Sequence, residues 1–239
     1  LKGVGHLFQT LSPMSKKVII YQVFTRLFGN GASCPRKNGT IDENGCGKFN
    51  AIGATELSAM REMGISHVWY TGVIRHATQT DYTRYGLPAN HPAVVKGKAG
   101  SPYAITDYYD VDPDLAESVP DRMAEFEALV RRTHDAGLKV IIDFVPNHVA
   151  RQYHSVCKPA GVADLGEGDD SSLGFTPKNN FYYCPGCKFS PQFSLDAEGF
   201  GPYVEMPAKA TGNDHFDPSP GVNDWYETVK LNYGVDYYA

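Results

Sequence analysis

Two stretches of this chain share one rhythm: a helix end, a glycine, then an apolar strand. They read MREMGISHVWY (residues 60–70) and THDAGLKVIIDF (residues 133–144). Strands that are apolar almost throughout, alternating with helices, require a parallel sheet covered on both faces. KVIIYQVFTRLF (17–28) supplies an earlier strand, rich in β-branched and aromatic residues. Residues 55–63 are expected to be helical, with Leu57, Met60 and Met63 at three-residue spacing, Thr55 as cap and Gly64 as stop. A longer helix is expected over 120–136. Pro120 suits its first turn, Asp121 complements its dipole, and Met123, Phe126, Leu129 and Val130 form its apolar stripe. The order is therefore strand, loop, helix, strand, loop, helix, strand. That order alone does not separate an eight-fold barrel from an open doubly wound sheet. Both place their sites at the strand C-termini, where the long loops of this chain fall.

The third strand poses a chemical question. It runs into LKVIIDFVPNH, so Asp143 sits near a strand end and Asn147 and His148 follow at once. A carboxylate there costs free energy unless paired or hydrogen-bonded, which points to a site residue. Asn offers a neutral oxygen suited to a hard cation such as calcium, and His offers a donor for a hydroxyl or a developing charge. Upstream, SPYAITDYYDVDPDLA (101–116) reads as a loop. It concentrates Tyr103, Tyr108 and Tyr109 with Asp107, Asp110, Asp112 and Asp114. Flat Tyr rings suit sugar faces, and the acids suit hydroxyls or a cation; a solvated acidic loop is the plain alternative.

Five cysteines make an odd count, which argues against a fully paired disulfide framework. His154, Cys157, Cys184 and Cys187 have spacing compatible with a zinc site. The plain alternatives are scattered thiols or a local Cys184–Cys187 disulfide, since CxxC pairs alone are common. Net charge is −5, with basic residues neither in excess nor clustered, so no nucleic-acid or membrane partner is expected. No apolar run approaches the roughly 20 residues that span a bilayer. Residues 1–17 lack a continuous apolar core, so no signal peptide is expected there, and the compartment stays open.

Four stretches in order resemble the α-amylase family, glycoside hydrolase family 13: IIYQVFTRLF, GISHVWYTGVI, YAITDYYDVDPDLA and GLKVIIDFVPNH. The last is the most specific, an Asp followed four residues later by Asn-His. The resemblance implies an α/β fold, the N-terminal part of a (β/α)8 TIM barrel with an inserted subdomain after strand 3. Residues 1–148 would hold the first three strand–helix units and 149–223 the insertion. Residues 224–239 would start the next barrel helix, with Asp224 as cap and Glu227 at its third position. It implies that Tyr103 stacks on sugar, Asp143 organises the site floor, His148 contacts sugar and Asn147 binds calcium. Substrates would be α-glucan oligosaccharides or polysaccharides.

The chain departs from the family at the chemistry. Retaining members need a nucleophilic Asp and an acid/base Glu on later strands, and a barrel takes about 250 residues. Here three strands use residues up to 148. GVDYY (234–238) echoes the nucleophile signature but lacks Phe-Arg-x-Asp, and Asp236 is not assigned that role. The expectation is a chain lacking the catalytic carboxylates, inactive alone, whose missing partner is the C-terminal half of the barrel. The alternative is a non-catalytic carbohydrate-binding or structural fragment.

Overall fold

The computed structural model describes residues 17–32 and 34–238. The signal-peptide expectation falls almost wholly outside these residues. Three strands, β1 (Ile20–Phe24), β2 (His67–Thr71) and β5 (Lys139–Ile142), form a parallel sheet in the order β1-β2-β5. The register runs from Ile20 opposite His67 and from His67 opposite Lys139. The crossover from β1 carries a short capped turn, α1 (Ile41–Asn44), and helix α2 (Ala54–Glu62). The crossover from β2 carries helix α3 (Arg122–Asp135). No described helix is long and apolar enough to cross a membrane.

The helices pack on one face of the sheet. Leu57 and Met60 of α2 and Leu129 of α3 meet Val23, Val68 and Tyr70 in one core, with Phe49 and Ile52 beneath. The α2 cap is Gly53 rather than Thr55, with the Glu56 carboxylate accepting from the Gly53 amide at 2.9 Å. Met63 stands outside the core. In α3, Met123 is exposed, and Thr133 is buried with its hydroxyl bonded to the Tyr70 hydroxyl at 2.7 Å. On the opposite face Ile20 and Phe24 of β1 are exposed.

The tyrosine-and-aspartate stretch is a strand rather than the expected loop. β4 (Ile105–Val111) pairs antiparallel and irregularly with β3 (Ile74–His76). Its acids are buried cross-links, not a solvated patch. Asp107 accepts from the Ser155 hydroxyl at 2.5 Å and from the Val156 and Cys157 amides at 2.9 and 3.1 Å. Arg122 grips Asp110 through two bonds of 2.8 Å. Asp112 faces His76 at 3.1 Å, and Asp114 pairs with Arg26 and accepts from the Tyr82 hydroxyl.

Beyond residue 147 the chain forms short antiparallel ladders. β6 (His148–Ala150) pairs with β11 (Thr228–Lys230), β7 (Tyr183–Cys184) with β10 (Ala208–Lys209), and β8 (Asp196–Ala197) with β9 (Gly201–Pro202). No helix occurs among its described residues. The helix expected to start at Asp224 is absent. Both Asp224 side-chain oxygens accept bonds within a turn, from Gly221 N at 2.7 Å and Asn213 Nδ2 at 2.9 Å. Thr228 and Val229 then favour the extended backbone that completes β11.

Candidate functional site

The site lies where the chain leaves β5. Asp143 follows the strand end, and both its oxygens are held: Oδ1 accepts from the Trp69 indole at 2.8 Å and Oδ2 from the Gly72 amide at 2.9 Å. It thereby ties the ends of β2 and β5 together. Its charge reaches Tyr103, whose hydroxyl is pushed above its ordinary pKa first by partial burial and then by Asp143.

Tyr103 and His148 come together in one pocket of about 270 Å³. Trp225 and Glu227 share its wall, with Lys96 at the edge. Tyr103 is 38% exposed and Trp225 44%, so both line the pocket while remaining open to solvent. The Trp225 and His148 ring centroids lie 5.2 Å apart at 60°. His148 is buried, and its pKa is lowered by that burial; contact with the Tyr103 backbone opposes the shift and Lys230 reinforces it. Its Nδ1 sits 3.0 Å from Asn147 Nδ2, a donor, which leaves the ring proton on Nε2. Gly212 makes this close approach possible, since a Cβ there would lie 2.8 Å from the His148 side chain. The result is an imidazole ring beside two aromatic side chains, chemistry that suits polyhydroxylated rings.

Trp225, Glu227 and Lys96 escaped sequence reading. Trp225 and Glu227 fall within the helix expected from residue 224, which does not form, and the β-branched Thr228-Val229 pair is the signal against it. Glu227 is buried, with Oε2 3.2 Å from Lys96 Nζ. A larger cavity of about 370 Å³ lies beside the loop after β1; of its charged lining residues Arg26, Lys98 and Asp114, Arg26 and Asp114 are paired to each other.

The zinc expectation does not survive the geometry. His154 pairs with Asp164 at 2.8 Å, and Cys157 lies 3.7 Å from Arg122 Nη2. The buried Cys184 thiol donates to the Phe216 carbonyl, while Cys187 is exposed; all are free thiols, so the local disulfide is absent too. The CxxC spacing has a backbone cause. Cys184-Pro185-Gly186-Cys187 is a turn closed by Cys187 N to Cys184 O at 3.0 Å, with Gly186 at φ +73° where glycine is favoured. Among the described residues the candidate metal-binding group is Asp107, Asp110 and Cys157. Arg75 lies 3.8 Å from each aspartate and Arg122 binds Asp110, so cationic side chains already fill that cluster.

Asn147 does not fit calcium. That ion takes six to eight oxygen ligands. Asn147 Oδ1 instead accepts from Lys230 Nζ at 2.9 Å, and Asp214 Oδ1 lies 2.6 Å from the same ammonium.

Fold and site together define an α/β protein with an aromatic-lined pocket at the C-terminal end of a parallel sheet. The family model "Alpha amylase, catalytic domain" matches residues 22–169, and the chain belongs to that family. Alpha-amylase MalA of Haloarcula japonica is 27% identical over 135 residues, covering 56% of this chain and 15% of that protein. The amino acid transporter heavy chain SLC3A1 of Mus musculus is 27% identical over 134 residues, covering 56% and 14%. The crystal structure of an alpha-amylase from Lactobacillus plantarum aligns with a TM-score of 0.39 at 27% identity, covering 58% of this chain and 24% of that one. The chain thus spans less than a quarter of the length of these relatives.

Proposed function

We propose that the protein carrying this chain is a retaining glycoside hydrolase acting on α-glucosidic bonds of starch or maltooligosaccharides. The chain supplies the first three strand–helix units of its barrel, and residues 149–223 form the subdomain inserted after the third strand. The observation that carries this reading is the convergence of Tyr103 and His148 on one pocket beside the strand-end Asp143. Tyr103 stacks on the sugar ring, His148 contacts the sugar, and Asp143 fixes the floor. A retaining mechanism needs two carboxyls about 5–5.5 Å apart. Asp143 has both oxygens engaged and is a floor residue rather than one of that pair. The nucleophile and acid/base belong to later strands of the barrel.

The test joins this chain to the downstream sequence of its gene. Hydrolysis of maltooligosaccharides with retained anomeric configuration is expected by NMR, and no α-glucosidase activity from the joined protein would sink the proposal. Tyr103→Ala is expected to lower kcat/KM about tenfold through lost stacking.

A second reading is a non-catalytic carbohydrate-binding or structural role. It is favoured by the similarity to a protein named as a transporter heavy chain. Calorimetry separates the two: maltooligosaccharide binding without turnover in the joined protein would select this reading.

A further inference from the structure

The Asn147 neighbourhood is built around a cation that the chain itself supplies. Lys230 lies in β11 directly opposite His148 of β6. Its side chain is 11% exposed, and its ammonium meets Asn147 Oδ1 at 2.9 Å and Asp214 Oδ1 at 2.6 Å. Asp214 adopts a left-handed backbone, φ +65°, a conformation that Asp tolerates better than most residues. The Tyr237 ring centroid lies 6.0 Å from the same ammonium. An ammonium carries three donors and no acceptor, so it matches converging oxygens.

The other side of Asn147 completes the arrangement. With its oxygen turned to Lys230, the amide nitrogen faces the Gly212 carbonyl at 2.8 Å and His148 Nδ1 at 3.0 Å. The orientation of one amide therefore links Lys230 to the ring proton that His148 presents in the pocket. A divalent ion on the same oxygens would lie within a few ångströms of the ammonium, where like charges repel strongly.

We propose that Lys230 is a resident cation that replaces a divalent metal at Asn147, locks β11 and the 211–215 turn to the start of β6, and positions His148 through the Asn147 amide. The site's architecture is then independent of calcium, whichever reaction the whole protein performs.

Thermal unfolding and metal analysis of the purified protein test this. After dialysis against EDTA, wild type is expected to hold no stoichiometric calcium and to show the same Tm in EDTA and in millimolar calcium chloride. Retained calcium, or a Tm that falls in EDTA, overturns the proposal. Lys230→Ser vacates the ammonium's place. Its Tm should drop by several degrees and rise again with added calcium, as Asn147 and Asp214 become available to the ion. An unchanged Tm, or a drop that calcium leaves untouched, assigns Lys230 a purely structural role and overturns metal replacement. Should the serine variant fail to fold, the wild-type metal response decides alone.

Discussion

The two halves of this molecule are held together by different physics. Residues up to the end of β5 bury aliphatic and aromatic side chains between a parallel sheet and two helices, with Leu57, Val68, Tyr70 and Leu129 inaccessible to water. The segment beyond residue 147 has ladders two or three residues long and only small apolar clusters. There the interior is organised by Arg151. Its guanidinium bonds Glu205 at 2.6 Å and the Tyr226 carbonyl at 2.7 Å, and lies 4.0 Å from the Phe189 ring centroid. Short ladders close few backbone bonds each, so a charged hub with several donors does what periodic packing does in the sheet half. The lesson is that a segment without periodicity can be specified, but by individual long-range pairs.

The sharpest way to break that comparison is Arg151→Leu. It strands the buried Glu205, and about 3–5 kcal/mol of unfolding free energy should disappear at neutral pH, read by denaturant melts. Burial alone would raise the Glu205 pKa; Arg151 first, then Lys209, outweigh it and hold the carboxyl below its usual range. A depressed acid contributes stability above its unfolded value, about 4.3, and loses it as pH falls through the folded value. The gap between wild type and Arg151→Leu should therefore shrink on acidification from pH 5 downward. Leu129→Ala, in the sheet half, should cost about 2–5 kcal/mol through an unfilled cavity. That loss should stay constant over the same pH range, and a pH-dependent loss there would erase the distinction between the halves.

Asp110→Asn probes the buried charges inside the first half, where β4 meets the start of α3. Asp110 receives both Arg122 bonds and lies near Arg75, so the neutral amide leaves two guanidinium groups undercompensated. A loss of about 1–3 kcal/mol is expected in the same melts.

The sequence was most readable where local pattern and global packing agree. The glycines ending α2 and α3 and the apolar runs of β2 and β5 announced themselves, and so did Asp143, Asn147 and His148, gathered within six positions. Reading failed where the deciding contact came from far along the chain. The acids of 107–114 read in sequence as groups for hydroxyls or a cation, with a solvated loop as the alternative, because their partners Arg26, Arg75 and Arg122 lie elsewhere along the chain. Asp224 and Glu227 imitate a helix cap, yet Asn213 and Gly221 claim the Asp224 carboxylate for a turn. Asn147 reads in sequence as a calcium ligand, whereas its oxygen accepts from Lys230, far along the chain.

The smallest expected effects concern the CxxC stretch, where spacing misled most directly. Exposed Cys187 contributes a backbone amide to the turn and no buried side chain, so Cys187→Ser should change stability by less than about 0.5 kcal/mol. Reductant and zinc chelators should leave the melt of the wild-type protein unchanged. Gly186→Ala at φ +73° should by contrast cost about 1 kcal/mol, because the added Cβ opposes the left-handed conformation that the turn requires. A Cys187 variant more costly than the Gly186 one would mean that the thiols, rather than the Pro-Gly turn, hold this corner. The segment's order would then rest on sulfur chemistry that its present geometry does not supply.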